Sequence, residues 1–191
     1  MEELNYFTEG WRHIISADAL DHQLFILVLA AVYTIKDWKQ VLVLVTAFTI
    51  GHSITLALST LNIIQVPTEW VEFLIPCTIV LTAAFNFFSK DYNPNRIRWN
   101  YALALFFGLI HGLGFANTLR FMLAKDENLA WPLLQFNLGL EAGQVVVVLG
   151  ILLVAYLFIY FIKLNRRYWV WLLSSAGFIV ALKIAVERLP W

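Results

Sequence analysis

The chain has 191 residues, of which 61% are hydrophobic and only 14% charged, with 13 Lys and Arg against 13 Asp and Glu. So few charges cannot solvate a water-soluble domain of this length, and the apolar residues fall in long blocks, which makes lipid the expected solvent. Zero net charge leaves no basic surface for nucleic acid and no acidic tail, and the single cysteine, Cys77, excludes an internal disulfide or a Cys-rich zinc site.

Residues Met1 to Gly10 carry Glu2, Glu3 and Glu9 but no Lys or Arg, so no cleaved signal peptide is expected. The first apolar block runs from about Ala17 to Ile35 and is ended by Lys36, Asp37 and Lys39. The second runs from about Trp38 to Leu61, and the third from about Trp70 to Phe88 after the turn at Pro67. A polar stretch containing Pro94 leads to the fourth block, about Trp99 to Leu119; Lys125, Asp126 and Glu127 follow it. The fifth is long, about Trp131 to Ile162, and the last runs from about Tyr168 to Leu189. Each block meets or nearly meets the roughly 20 residues a spanning helix needs. The fifth exceeds that length, so it tilts, projects beyond the lipid, breaks near Gly139 and Gly143, or hides a re-entrant piece. The expected fold is all-α, a polytopic bundle of about six helices (seven segments if the fifth block is broken), with residues 1–191 forming a single transmembrane domain. The eight Trp and seven Tyr suit interfacial belts.

Lys36 and Lys39 fall in the first loop, Lys90, Arg96 and Arg98 in the third, and Lys163, Arg166 and Arg167 in the fifth. The second loop has no cation, and the fourth only Arg120 and Lys125. Odd-numbered loops are therefore expected on the cytoplasmic side of the inner membrane, with both termini outside.

Counted from the cytoplasmic ends, His22, His52 and His111 each lie 13 residues along their blocks, from Ile35, Lys39 and Arg98. At about 1.5 Å per residue, all three fall roughly 20 Å up, in one layer. Carboxylates gather in the same half. Asp18 shares a helix face with His22, Asp21 adjoins it, Glu72 and Glu187 lie near outer ends, and Glu141 has Asn137 and Gln144 on its face. Charge in lipid is costly, so these groups are expected to turn inward towards one another. Imidazoles with carboxylates suit borderline divalent metals, and Asp18 and Asp21 are placed to orient His22 or His13. A plainer reading stands beside each: His52 alone satisfies the helix backbone or Thr49, Glu72 and Glu187 snorkel or pair with Lys183 or Arg188, and His13, before the first block, is interfacial. The glycines at 108 and 112, and at 139 and 143, have the spacing of close helix packing. His52 and His111 each adjoin a glycine, but two short matches are too little for an inverted repeat.

Four segments resemble the HupE/UreJ-type membrane proteins. They are Gly10-Trp11-Arg12-His13-Ile14 with Asp21-His22 and Leu24-Phe25; Thr46-Ala47-Phe48-Thr49 through His52-Ser53-Ile54-Thr55-Leu56; Gly108 through His111-Gly112-Leu113-Gly114-Phe115-Ala116; and Phe136-Asn137-Leu138-Gly139 with Glu141 and Gln144. The resemblance covers about residues 10 to 150 and weakens over the last block. It implies a hydrogenase- or urease-accessory role as a permease for nickel or a related metal. Family motifs fall on His13, Asp21, His22, His52, Ser53, His111, Asn137, Glu141 and Gln144. The expected ligand is a divalent ion, Ni or Zn, held by His22, His52, His111, Asp21, Asp18, Glu141 and His13, with Ser53, Asn137 and Gln144 in support. The alternative is a zinc-dependent intramembrane hydrolase, with Ser53 near the metal; no H-E-x-x-H stretch supports a metalloprotease. The expected partners are the bilayer and the metal ion, and a homo-oligomer stays open.

Overall fold

The computed structural model describes residues 5–89, 98–122 and 129–191, apart from the side chains of Asp18, Arg98 and Trp99. Lys90, Pro94, Arg96, Lys125, Asp126 and Glu127 lie outside the described residues. Seven α-helices are described: α1 (Tyr6–Ile15), α2 (Leu20–Ala30), α3 (Trp38–Thr60), α4 (Thr68–Phe88), α5 (Arg98–Met122), α6 (Ala130–Tyr156) and α7 (Arg166–Glu187). No strand occurs among the described residues. The helices α3 to α7 coincide with the second to sixth apolar blocks, and each is long and apolar enough to cross a membrane.

The first block departs from expectation. In place of one helix from Ala17 to Ile35 the block holds only the short α2, and α1, which precedes the block, meets it at a bend of 65°. Only taken together do they make a sixth span. The 11 residues of α2 rise about 16 Å, half of a hydrocarbon core about 30 Å thick. The break has local causes. Asn5 caps the start of α1 by accepting from the Thr8 amide, and Ser16 leaves the helix at φ −64°, ψ 158°. Gln23 then donates its amide to the Ile14 and Ser16 carbonyls, at 3.0 and 2.9 Å, supplying acceptors freed at the end of α1 with a donor.

Beyond Ala30 the backbone is irregular although Ala31, Val32 and Tyr33 are buried. Such backbone is tolerated at membrane depth only where protein supplies its partners. Here Arg166 donates to the Val32 carbonyl, and the Asp37 carboxylate accepts from the amide and hydroxyl of Thr34 at 3.0 and 2.8 Å. The long fifth block, by contrast, runs unbroken through Gly139 and Gly143 and on into a π-helical turn, Leu157–Phe161.

The helix pairs that pack most extensively on one another are α3 with α5, α1 with α6 and α4 with α7. Glycine permits the first two. A Cβ on Gly112 would collide with the His52 carbonyl, and one on Gly139 with the Phe7 carbonyl, so the backbones approach where only hydrogen fits. The short α2 lies against α4, α6 and α7, with Phe25, Ile26, Val28 and Leu29 all buried. A helix apolar all round belongs inside a bundle, and α2 is there. The outer faces expose Val43, Ile50 and Ile54 on α3, Val146, Leu149 and Leu153 on α6, and Leu172, Ile179 and Val186 on α7. Aliphatic exteriors on spanning-length helices make this a multi-pass membrane protein in a lipid environment.

Candidate metal centre

The break in the first span builds the site. His13 sits in the last turn of α1 and His22 in the first turn of α2, and the bend brings their rings to 4.6 Å between centroids. His13 is therefore inside a helix, not ahead of one. From the middle of α3, His52 stands 6.1 Å from His13 and 5.9 Å from His22. One ring nitrogen each of His13, His22 and His52 lies within 4.8 Å of the others. His111, on α5, has its ring 5.1 Å from that of His22. All four histidines thus meet, from four helices.

Their hydrogen bonding is incomplete. His13 Nε2, His22 Nε2, both nitrogens of His52 and His111 Nδ1 are buried with no hydrogen-bond partner among the described residues. A buried polar atom left unpaired costs about 1–3 kcal/mol, so so many in one place call for a ligand or water. The proton of His111 can be placed. Thr78 donates its only hydroxyl hydrogen to the Ile75 carbonyl at 2.7 Å, so at 3.1 Å it can only accept from His111 Nε2. Nε2 carries the hydrogen, and Nδ1, the orphaned atom, keeps its lone pair. That is the state a metal ligand needs.

A cavity of about 220 Å³ reaches this cluster, lined by His13, Asp21, His22, Glu72, His111 and Arg188 among others. It opens where α2 and α4 begin and α7 ends, the end opposite Lys36, Lys39 and Lys163. Asp21 Oδ2 pairs with Arg188 at 2.9 Å, while its Oδ1 is buried and unpartnered. Glu72 is exposed at the rim, and Glu187 pairs with Lys183 at 3.7 Å. The opposite side of the cluster is closed by buried phenylalanines: Phe25 and Phe48 lie 5.3 and 5.1 Å from His111, and Phe107 lies 5.9 Å from Phe25.

Other candidates stand apart. The Asp18 side chain lies outside the described residues. Glu141 does not line the cavity; half-buried, it accepts from the Thr46 hydroxyl at 2.7 Å between α3 and α6. Gln144 accepts from Thr49 at 2.8 Å, and Ser53 donates to the Thr49 carbonyl at 2.7 Å. Asn137 donates to the Leu133 carbonyl at 2.8 Å, with its Oδ1 buried and unpartnered. Sequence reasoning missed Thr78, Gln23 and the cavity role of Arg188. Only Gln23 left a usable signal, a long amide seven residues beyond Ser16 beside a polar Ser16–Asp18 interruption.

Lipid-facing helices around a cavity lined by His13, His22 and His111, with His52 behind them, define a polytopic membrane protein with a candidate metal centre. The family model described as HupE / UreJ protein matches residues 1–187. The chain belongs to that family. No curated protein and no solved structure is matched by it.

Proposed function

We propose that the chain is a permease for a divalent transition-metal ion of the nickel or zinc kind, in the cytoplasmic membrane with the cavity facing outward. The observation that carries this reading is the meeting of His13, His22 and His52, with nitrogens within 4.8 Å, beside an open cavity that His13 and His22 line. Imidazole nitrogens suit such ions, and thiolates are not needed. The ion enters past Glu72 and Asp21, exchanges waters for the histidines, and is partly neutralised by Asp21. Protonation of the imidazoles competes for the same lone pairs and favours release. The cation distribution among the loops supports termini on the outside.

The test is metal analysis and equilibrium titration of purified wild type beside a His52→Ala, His111→Ala double variant, with uptake into proteoliposomes. Binding and uptake should both be lost in the variant; unchanged values would sink the reading. Arg188 gives a second expected result. Its pair with Asp21 is partly exposed, so Arg188→Gln should move the thermal midpoint by only a few degrees. Metal affinity should rise several-fold, because Asp21 no longer has a tethered cation to exchange; an unchanged titration would separate Asp21 from the ion.

One observation favours the alternative, a zinc-dependent intramembrane hydrolase: the closed phenylalanine layer on the far side of the histidines. Three imidazoles with a fourth, open position suit activation of water. Ser53 is less suited to assist, since its hydroxyl is bonded to its own helix. Net flux of metal across a vesicle wall belongs to the permease alone.

A further inference from the structure

Beyond the phenylalanine layer, between α2, α4 and α5, lies a second, small cavity lined by Thr82, Asn86, Asn100, Leu29 and Phe107 among others. We infer that it is a second station for the transported divalent cation, built from neutral oxygen donors on the cytoplasmic side of the histidines. The inference rests on the permease reading.

The two cavities are joined by one face of α4. Thr78, Thr82 and Asn86 are four residues apart, so they stack along that face in steps of about 6 Å. The row begins at the histidines, where Thr78 touches His111 at 3.1 Å. It ends in the second cavity, which Thr82 and Asn86 both line. Phe107 stands beside this row, one helical turn before His111 on α5, and borders the same cavity. The polar row therefore passes the aromatic layer where Phe25 and Phe107 otherwise close the way.

The hydrogen bonds decide what the cavity offers. Thr82 spends its hydroxyl hydrogen on the Thr78 carbonyl at 2.7 Å. Asn86 spends its amide hydrogens on the Val28 carbonyl at 2.8 Å and the Ser174 hydroxyl at 3.0 Å. A carbonyl can only accept, so the orientation of the amide is fixed by chemistry. What remains on both side chains is lone pairs: the Thr82 hydroxyl oxygen and Asn86 Oδ1. Thr82 and Asn86 thus present acceptors alone, which suit a cation, and Asn100 adds the oxygen of its own amide. Without a carboxylate or imidazole the site holds that cation weakly, as a site for passage requires. Its volume, about 20 Å³, is room for about one water. An ion there would keep little of its hydration and lean on these oxygens.

The experiment uses the full chain in liposomes with a trapped indicator and Ni²⁺ as the probe, beside equilibrium Ni²⁺ binding in detergent. Thr82→Val removes the hydroxyl at almost constant volume, and its only described hydrogen bond lies within α4. The expected result is Ni²⁺ binding within twofold of wild type and uptake slowed tenfold or more. Thr82→Ser, which keeps the hydroxyl, should restore most of the lost rate. Asn100→Leu, from α5, should repeat the Thr82→Val pattern. Uptake within twofold of wild type in both Thr82→Val and Asn100→Leu would overturn the second station and leave the permease reading standing. So would equal slowing in the Thr82 Ser and Val variants, since the effect would then be packing. Loss of binding together with uptake would merge the two cavities into one site and overturn it as well. A wild type that binds Ni²⁺ but passes none would instead overturn the permease reading, and this inference with it.

Discussion

His13→Ala is expected to weaken divalent-metal binding by more than about 100-fold, because losing even an outer partner of a metal ligand costs 10–100-fold. The sequence set His13 ahead of the first membrane block, where a surface role was as good a reading as ligation. The bend between α1 and α2 turns it inward, 4.6 Å from His22, with Nε2 buried and without a partner among the described residues. Its ring is wedged against Phe115 and Phe136, at 4.0 and 5.7 Å, so it is held in place before any ion arrives. Substitution should leave α1 docked, since Gly10 and Ile14 carry its packing on α6. Metal titration monitored alongside circular dichroism checks both halves. An affinity within about threefold of wild type, with helicity intact, would return His13 to the role of bystander.

The second large effect concerns a residue with no polar atom in its side chain. Gly112→Val should lower the thermal midpoint of the purified protein and abolish metal binding at the same time. A Cβ at position 112 would meet the His52 carbonyl and the Thr55 hydroxyl. Neither has room to yield, because α3 and α5 touch backbone to backbone along Gly51, Gly108 and Gly112. Overpacking typically costs about 1–3 kcal/mol, and collision with backbone belongs at the upper end. Moving α3 away from α5 also separates His52 from His111, so stability and site fail together. Gly150→Ala is the control: a Cβ there meets nothing within 4 Å, so the midpoint should not fall. Equal melting of the Gly112 variant and wild type would show that the close approach is dispensable.

The contrast between the fifth block and the first shows what a hydropathy pattern can and cannot deliver. By its length and by Gly139 and Gly143, the fifth block is the one in which a break is an alternative to tilt or to projection beyond the lipid. Both glycines instead serve contact with α1, and α6 continues through them. The breaks lie at the first block, at Ser16–Ala19 where it begins and again after Ala30, although its apolar run is nearly long enough to span. What marks them is a set of hydrogen bonds, Gln23 onto Ile14 and Ser16 and Asp37 onto Thr34, which no window of hydrophobicity records. Glu141 teaches the converse. Depth placed it with the histidines, but depth fixes only one coordinate, and rotation about α6 sends it to Thr46.

The sequence by itself determined the solvent and the five long spans, and it led to the expectation of imidazoles in one layer. These follow from composition and from rise per residue, which accumulate along the chain and need no knowledge of neighbours. Tertiary structure decided which side chains share the site. It bent the first span so that His13 faces His22, turned Glu141 away, brought Thr78 from α4 to fix the proton on His111, and set Arg188 against Asp21. Those outcomes depend on azimuth and on contacts between residues far apart in the chain, as with Asp21 and Arg188, 167 positions apart. They are set by which helices pack together, and that is settled by glycine contacts and buried hydrogen bonds, not by periodicity within any one helix.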